Sequence, residues 1–211
     1  MQEFDKDSIK LPATMIITGK KNTGKSTYVK LLLYYLCDKA DELYIFCPTY
    51  DDSSYKGITK NIYNNYDMDI LNDIIERQKV NSHNDKPMKQ VILLFDDCIL
   101  EINKNDKKMQ YLFMIARHFC ISPILITQKF RAICDSCRTN ADYIFCTKIY
   151  NILEREKLFE EYGSVQKLEF YKLLKEYTKN YGIFVIDNTL QESEDIYFHD
   201  KSIEFNVDFY I

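Results

Sequence analysis

Two glycines five residues apart, followed by a lysine and a hydroxyl, define the chemistry this chain is equipped for. Gly19-Lys20-Lys21-Asn22-Thr23-Gly24-Lys25-Ser26 fits the pattern G-x-x-x-x-G-K-S, and Thr27 continues it. Glycines let successive backbone N–H groups turn inward around phosphates. The helix that follows presents the positive end of its dipole to the same anion. In such a loop Lys25 reaches the β- and γ-phosphates of a nucleoside triphosphate, and the Ser26 hydroxyl ligates Mg²⁺. The chain has only 5 Gly, so an accidental match is rare. Gly19 to Thr27 are therefore expected to hold ATP.

Two further strand ends supply the groups that such a loop needs. Val91-Ile-Leu-Leu-Phe-Asp96-Asp97 is an apolar run closing on adjacent carboxylates, the Walker B pattern. Ligands of parallel α/β sheets bind beyond the carboxyl ends of the strands, which puts both acids beside the phosphates. Asp96 is expected in the Mg²⁺ shell. Asp97 stands where a base or water-polarising carboxylate is wanted, a position usually held by Glu. Pro123-Ile-Leu-Ile-Thr-Gln128 ends a second apolar run in an amide. Gln128 can bond both the γ-phosphate and the attacking water; a strand-end glutamine meeting solvent is the plainer reading.

The elements that must position these residues follow from the hydrophobic pattern. Strands are expected at Thr14–Thr18, Leu43–Cys47, Val91–Phe95, Ile124–Thr127, Tyr143–Thr147 and Ile183–Ile186. Several are continuous apolar runs, as strands covered on both faces require. Helices fit Lys25–Cys37, Ile70–Val80, Lys108–Phe119 and Ile152–Tyr177, the last broken near Gly163. Between Lys25 and Asp96 there is room for another strand, which suits the RecA-like (ASCE) branch of P-loop NTPases. The expected fold is α/β, a mostly parallel sheet flanked by helices. Edge strands are expected from the C-terminal tail (Ile196-Tyr-Phe and Ile203–Val207). One domain covers residues 1–211, with a core over 13–150 and further helices and strands over 151–211. Asp51–Lys60, Asn81–Lys89 and Asn103–Lys107 are the segments expected to be flexible.

Composition narrows the class. The 211 residues are 46% hydrophobic and 28% charged, which excludes wholesale disorder and allows one large core. The apolar run Leu31–Cys37 is far too short to span a membrane, and the polar, acidic Met1–Asp7 does not read as a signal peptide. A cytosolic, reducing setting is expected, with the 7 Cys as core thiols. The net charge of -4 gives no chain-wide argument for nucleic acid. Arginine is scarce: Arg77, Arg117, Arg131, Arg138 and Arg155 are all there are.

A longer run carries a resemblance. Ile115-Ala-Arg117-His118-Phe-Cys-Ile-Ser-Pro-Ile-Leu-Ile-Thr-Gln128, then Arg138-Thr-Asn140-Ala-Asp142, is similar to the FtsK–HerA superfamily of DNA-pumping ATPases. Within it, the chain resembles the poxvirus-type genome-packaging ATPases of large DNA viruses and their relatives. The Asp96-Asp97 pair and Tyr181-Gly-Ile-Phe-Val-Ile-Asp-Asn188 fit that branch, and the likeness runs from Ala13 to the C-terminus. The resemblance implies a Mg-dependent ATPase that translocates double-stranded DNA into a capsid. It also implies a homo-oligomeric ring, hexamer or pentamer, a capsid vertex protein as partner, and work in the host cytoplasm or virion without a membrane. Cell-division and conjugation pumps of the superfamily carry membrane segments or DNA-orienting domains, so the packaging branch is favoured by analogy. In such ATPases an arginine on the helix before the sensor strand completes a neighbour's site. Arg117 matches it, worth about 10³–10⁵ in rate; the plainer reading is a surface ion pair. Arg138 is the second candidate, its plainer reading a salt bridge to Asp142.

Other signals carry less. Asn103-Lys104-Asn105-Asp106 matches a guanine-recognition motif but lacks its buried strand, and reads as chance. His118, Cys120, Cys134 and Cys137 suggest zinc. The intervening strand would separate the pairs by about 15–20 Å, too far to share one ion. Lys20, Lys21, Lys104, Lys107, Lys108, Lys129 and Arg131 fall at strand-end loops, where they either line a DNA channel or are solvated. Tyr34, Tyr35, Tyr171 and Tyr177 have helical spacing and read as core and rim. Two other functions stay open: a small nucleotide kinase, and a non-hydrolysing nucleotide-dependent assembly protein.

Overall fold

A computed structural model describes residues 1–49, 55–98, 106–190, 195–202 and 209–211. These form nine strands: β1 (Gln2–Glu3), β2 (Met15–Thr18), β3 (Glu42–Phe46), β4 (Ile62–Tyr63), β5 (Val91–Asp96), β6 (Ile121–Thr127), β7 (Tyr143–Cys146), β8 (Gly182–Asp187) and β9 (Tyr197–Lys201). Six α-helices connect them: α1 (Lys25–Leu36), α2 (Met68–His83), α3 (Lys107–Ile115), α4 (Asp135–Thr139), α5 (Ile152–Tyr162) and α6 (Lys167–Tyr177).

All strands join one sheet in the order β1-β9-β8-β7-β2-β6-β5-β3-β4. Every pairing is parallel except those of β8, which runs against β7 and β9. The expected α/β class holds, and the C-terminal strands extend the sheet beyond β7 as expected. The strand expected in sequence between Lys25 and Asp96 is β3, while in the sheet it is β6 that separates β2 from β5 and pairs with both. Ile203–Val207 lies outside the described residues.

Both faces of the sheet are dry, which explains the unbroken apolar runs. Along β5, Val91, Leu93 and Phe95 enter one buried cluster while Ile92 and Leu94 enter the other. The first cluster takes in α2, α3, α5 and α6 through Leu71, Leu112, Leu158 and Phe170. The second is roofed by α1 through Tyr28, Val29, Leu32, Leu33 and Leu36. Truncating a buried leucine such as Leu32 to alanine in such a core costs about 2–5 kcal/mol.

The helix predicted over Lys108–Phe119 ends its α-turns at Ile115 and finishes as a 3₁₀ turn, Ala116–Phe119. The break near Gly163 is real: α5 stops at Tyr162, and the Gly163 N–H closes on Phe159 O at 2.8 Å. A Cβ there would stand 2.5 Å from the Phe159 ring, so only glycine fits.

Candidate nucleotide site at the carboxyl edge of the sheet

The chain leaves β2 at Thr18 and enters α1 at Lys25, and the residues between wrap the start of the helix. Gly19 has φ +145°, and a Cβ on it would lie 1.9 Å from Thr147 Oγ1. Gly24 has φ +90° and caps α1 without a side-chain bond, while Asn22 takes φ +60°. These left-handed turns aim the loop inward. The loop is tied to its neighbours by the Gly19 N–H on Thr127 O (3.3 Å) and the Lys20 N–H on Lys148 O (2.9 Å). Thr23 Oγ1 stands 2.6 Å from Thr147 Oγ1 and donates to Lys20 O at 2.6 Å.

A cavity of about 300 Å³ opens above this loop, lined by Lys21, Asn22, Thr23, Gly24, Lys25, Ser26, Thr27, Asp96, Asp97 and Gln128. Residues from three separate stretches of sequence thus meet at the ends of β2, β5 and β6. Lys25 is buried and donates to Lys20 O at 2.8 Å. Burial pushes its pKa down, while the Asp97 and Asp96 carboxylates push it up. Gly19 and Lys20 form the base of the loop rather than the cavity lining; the Lys20 ammonium sits 4.7 Å from the centre of the Tyr150 ring.

Asp96 closes β5 with 8% exposure, and burial raises its carboxyl pKa above the ordinary range. A buried phenol opposes that shift: Tyr55 donates to Asp96 Oδ2 at 2.6 Å and orients the carboxylate. Sequence reasoning missed Tyr55, which follows the chain segment after β3 and carries no motif. Asp97 follows at φ +55°, with Thr49 Oγ1 at 3.5 Å from its Oδ2. Gln128 is exposed where β6 ends.

Arg117 is elsewhere. It lies in the 3₁₀ turn before β6, at the opposite edge of the sheet from Gln128, a strand of seven residues away. At about 3.3 Å per residue that separation exceeds 20 Å. There it pairs with Asp142, whose carboxylate also accepts from the Thr14 N–H (2.8 Å) and Thr14 Oγ1 (2.9 Å). Asp142 therefore belongs to Arg117, not to Arg138 as the helical spacing suggested. Arg138 is 1% exposed and committed to Asp135, to Glu161 at 3.1 Å and to Ile133 O, leaving no guanidinium edge for a second molecule.

Of the other signals, Asn103, Lys104 and Asn105 lie outside the described residues, while Asp106 caps α3 by accepting from the Lys108 and Met109 N–H groups. Cys120 stands at the start of β6 and the Cys134–Cys137 pair beyond its end, so the strand separates them.

A glycine-turned loop between β2 and α1, an acidic strand end on β5 and an amide on the strand between them define the phosphate-loop NTPase fold. The chain belongs to the Poxvirus A32 protein family, whose model matches residues 1–211. It is 30% identical over 192 residues to protein 075L of Invertebrate iridescent virus 6, covering 88% of this chain and 74% of that one. It is 25% identical over 166 residues to the DNA packaging protein OPG160 of vaccinia virus (strain Copenhagen), covering 74% of this chain and 61% of that one. Among solved structures, the fold matches the genome packaging NTPase B204 from Sulfolobus turreted icosahedral virus 2. For its sulfate complex the TM-score is 0.68 at 17% identity, with 92% of this chain and 98% of that chain covered. The same NTPase has been solved with ATP-gammaS, for which the TM-score is 0.63 at 17% identity, covering 85% and 94%. The relatives are viral proteins, and the likeness the motifs carried to packaging ATPases is the relationship found. Among the described residues no helix is long and apolar enough to cross a membrane.

Proposed function

We propose that this protein hydrolyses ATP with Mg²⁺ to drive double-stranded DNA into a viral capsid. The observation that carries the reading is the single cavity that gathers the Gly24–Thr27 loop, Asp96, Asp97 and Gln128. The inward-turned N–H groups of the loop hold the phosphates, and Lys25 exchanges its bond to Lys20 O for the β- and γ-phosphate oxygens. The Ser26 hydroxyl and the Asp96 carboxylate are hard oxygen donors in that cavity, the set that Mg²⁺ takes. Bound there, the ion would neutralise charge on the β- and γ-oxygens. Asp97 orients and deprotonates the attacking water, and Gln128 bonds the water and the γ-phosphate.

Arg117 cannot serve its own subunit's nucleotide from the opposite sheet edge, which supports a role on a neighbour's ATP within a closed ring. Lys20, Lys21, Lys107, Lys108, Lys129 and Arg131 all follow strand ends at the nucleotide edge. Where a ring joined at this edge leaves such loops beside its bore, they would track the phosphate backbone despite the acidic chain total. The kinship with a DNA packaging protein supports duplex DNA as the cargo and the capsid as the destination.

Phosphate release with and without linear duplex tests the reading. The wild-type chain is expected to release phosphate from ATP faster with duplex present, and Lys25→Ala to lose the activity under both conditions. Release by Lys25→Ala at the wild-type rate would place the chemistry at another site.

A further inference from the structure

The phosphate chain has a direction in this cavity. Lys25, Asp96, Asp97 and Gln128 fix its γ end on the β5–β6 side of the loop. The nucleoside must therefore leave towards β7, β8 and β9. A second cavity of about 370 Å³ opens on that side, lined by Asn22, Gly24, Thr27, Tyr181 and Ser202. It shares Asn22, Gly24 and Thr27 with the phosphate cavity, so the two adjoin.

We propose that this second cavity takes the purine base of the nucleoside triphosphate, with the Tyr181 ring stacked on it; the inference rests on the nucleotide reading above. Tyr181 precedes β8, the one reversed strand, so it emerges at the same sheet edge as the phosphate loop. Ser202 follows β9 at that edge and fastens both parts together. Its N–H donates to Tyr181 O at 2.9 Å, and its hydroxyl donates to Gly24 O at 3.1 Å. The ring reaches the loop itself: a Cβ on Gly24 would stand 3.4 Å from Tyr181 Cδ1.

Two features of Tyr181 mark it as more than a surface residue. It is 61% exposed although aromatic. It also holds φ +60°, directly after Asn180 at φ +51°. Bulky residues rarely adopt that conformation, and such strain gathers at ligand sites. An exposed ring beside the loop offers a π-face to a base, while Asn22, Thr27 and Ser202 supply polar groups for its edge and for the ribose. Tyr150, the other exposed tyrosine near the loop, has its ring covered by the Lys20 and Lys148 ammonium groups at 4.7 and 5.0 Å.

Calorimetric titration with ATP and with inorganic tripolyphosphate separates base from phosphate binding. Asparagine tolerates left-handed φ, so Tyr181→Asn removes the ring and leaves the turn. Tyr181→Asn is expected to raise the Kd for ATP about 5- to 100-fold while tripolyphosphate binds as before. Tyr181→Phe is expected to keep ATP affinity within about twofold. Equal ATP affinity in wild type and Tyr181→Asn overturns the base subsite alone, as does an equal loss for both ligands. A wild-type chain that binds neither ligand overturns the nucleotide reading, and the subsite with it.

Discussion

Burial works against the charges on both Lys25 and Asp96; the Asp97 and Asp96 carboxylates offset part of the cost on Lys25, and the Tyr55 hydroxyl and the Lys25 ammonium offset part of that on Asp96. For Asp96 the sign can be followed through pH. Its folded-state pKa lies above the ordinary 3.8, so the folded chain holds the proton more tightly than the unfolded one. The contribution of Asp96 to stability is then fully present below 3.8, is lost as pH rises through the folded value, and stays lost above it. Asp96→Asn removes the charge and keeps an oxygen for Tyr55. Without Mg²⁺ and nucleotide, this variant is expected to melt above wild type at pH 7. The gap should close as pH falls towards 3.8. Its ATP hydrolysis should fall by about two orders of magnitude or more. Scanning calorimetry across pH, with phosphate release alongside, checks both halves. A variant that melts below wild type at neutral pH contradicts the burial argument.

At the scale of elements, the regions legible in the sequence are those fixed by hydrophobic period and by motif. The predicted strand at Val91–Phe95 is β5 with one residue added, and Gly163 marked the end of α5 because a side chain there would meet Phe159. What escaped was written in tertiary contact. Two-residue β1 and β4 are too short for any period to show, and Phe4, next to β1, is held by edge contacts with Tyr143, Phe145 and Phe198. Five-residue α4 gives no amphipathic stripe. The stretch from Asn81, expected to be flexible, continues α2 to His83, and Asn84 Nδ2 donates to Val80 O at 2.8 Å at its end. The site divides the same way. Its motif residues could be read directly, whereas Tyr55 on Asp96 and the choice of Asp142 by Arg117 depend on how distant segments meet.

For the whole molecule, the account requires subunits that share sites. In the proposed ring each protomer would offer the loop cavity at one sheet edge and Arg117 at the other, setting the guanidinium of one subunit against the phosphates of the next. Removing it leaves Asp142 still bonded to Thr14, and the fold is expected to survive. Arg117→Ala is expected to bind ATP normally and to hydrolyse it about 10³- to 10⁵-fold more slowly. Mixing it with Lys25→Ala should restore part of the activity, because intact Lys25 sites then meet intact arginines. Absence of any recovery on mixing would argue against action in trans.

The most direct test of DNA pumping is displacement of a third strand. A labelled oligonucleotide is annealed as a triplex on linear duplex, and its release by the wild-type protein is followed in Mg²⁺ and ATP. The account predicts release that needs ATP hydrolysis and disappears with Lys25→Ala. Duplex-stimulated phosphate release that never frees the third strand would contradict it.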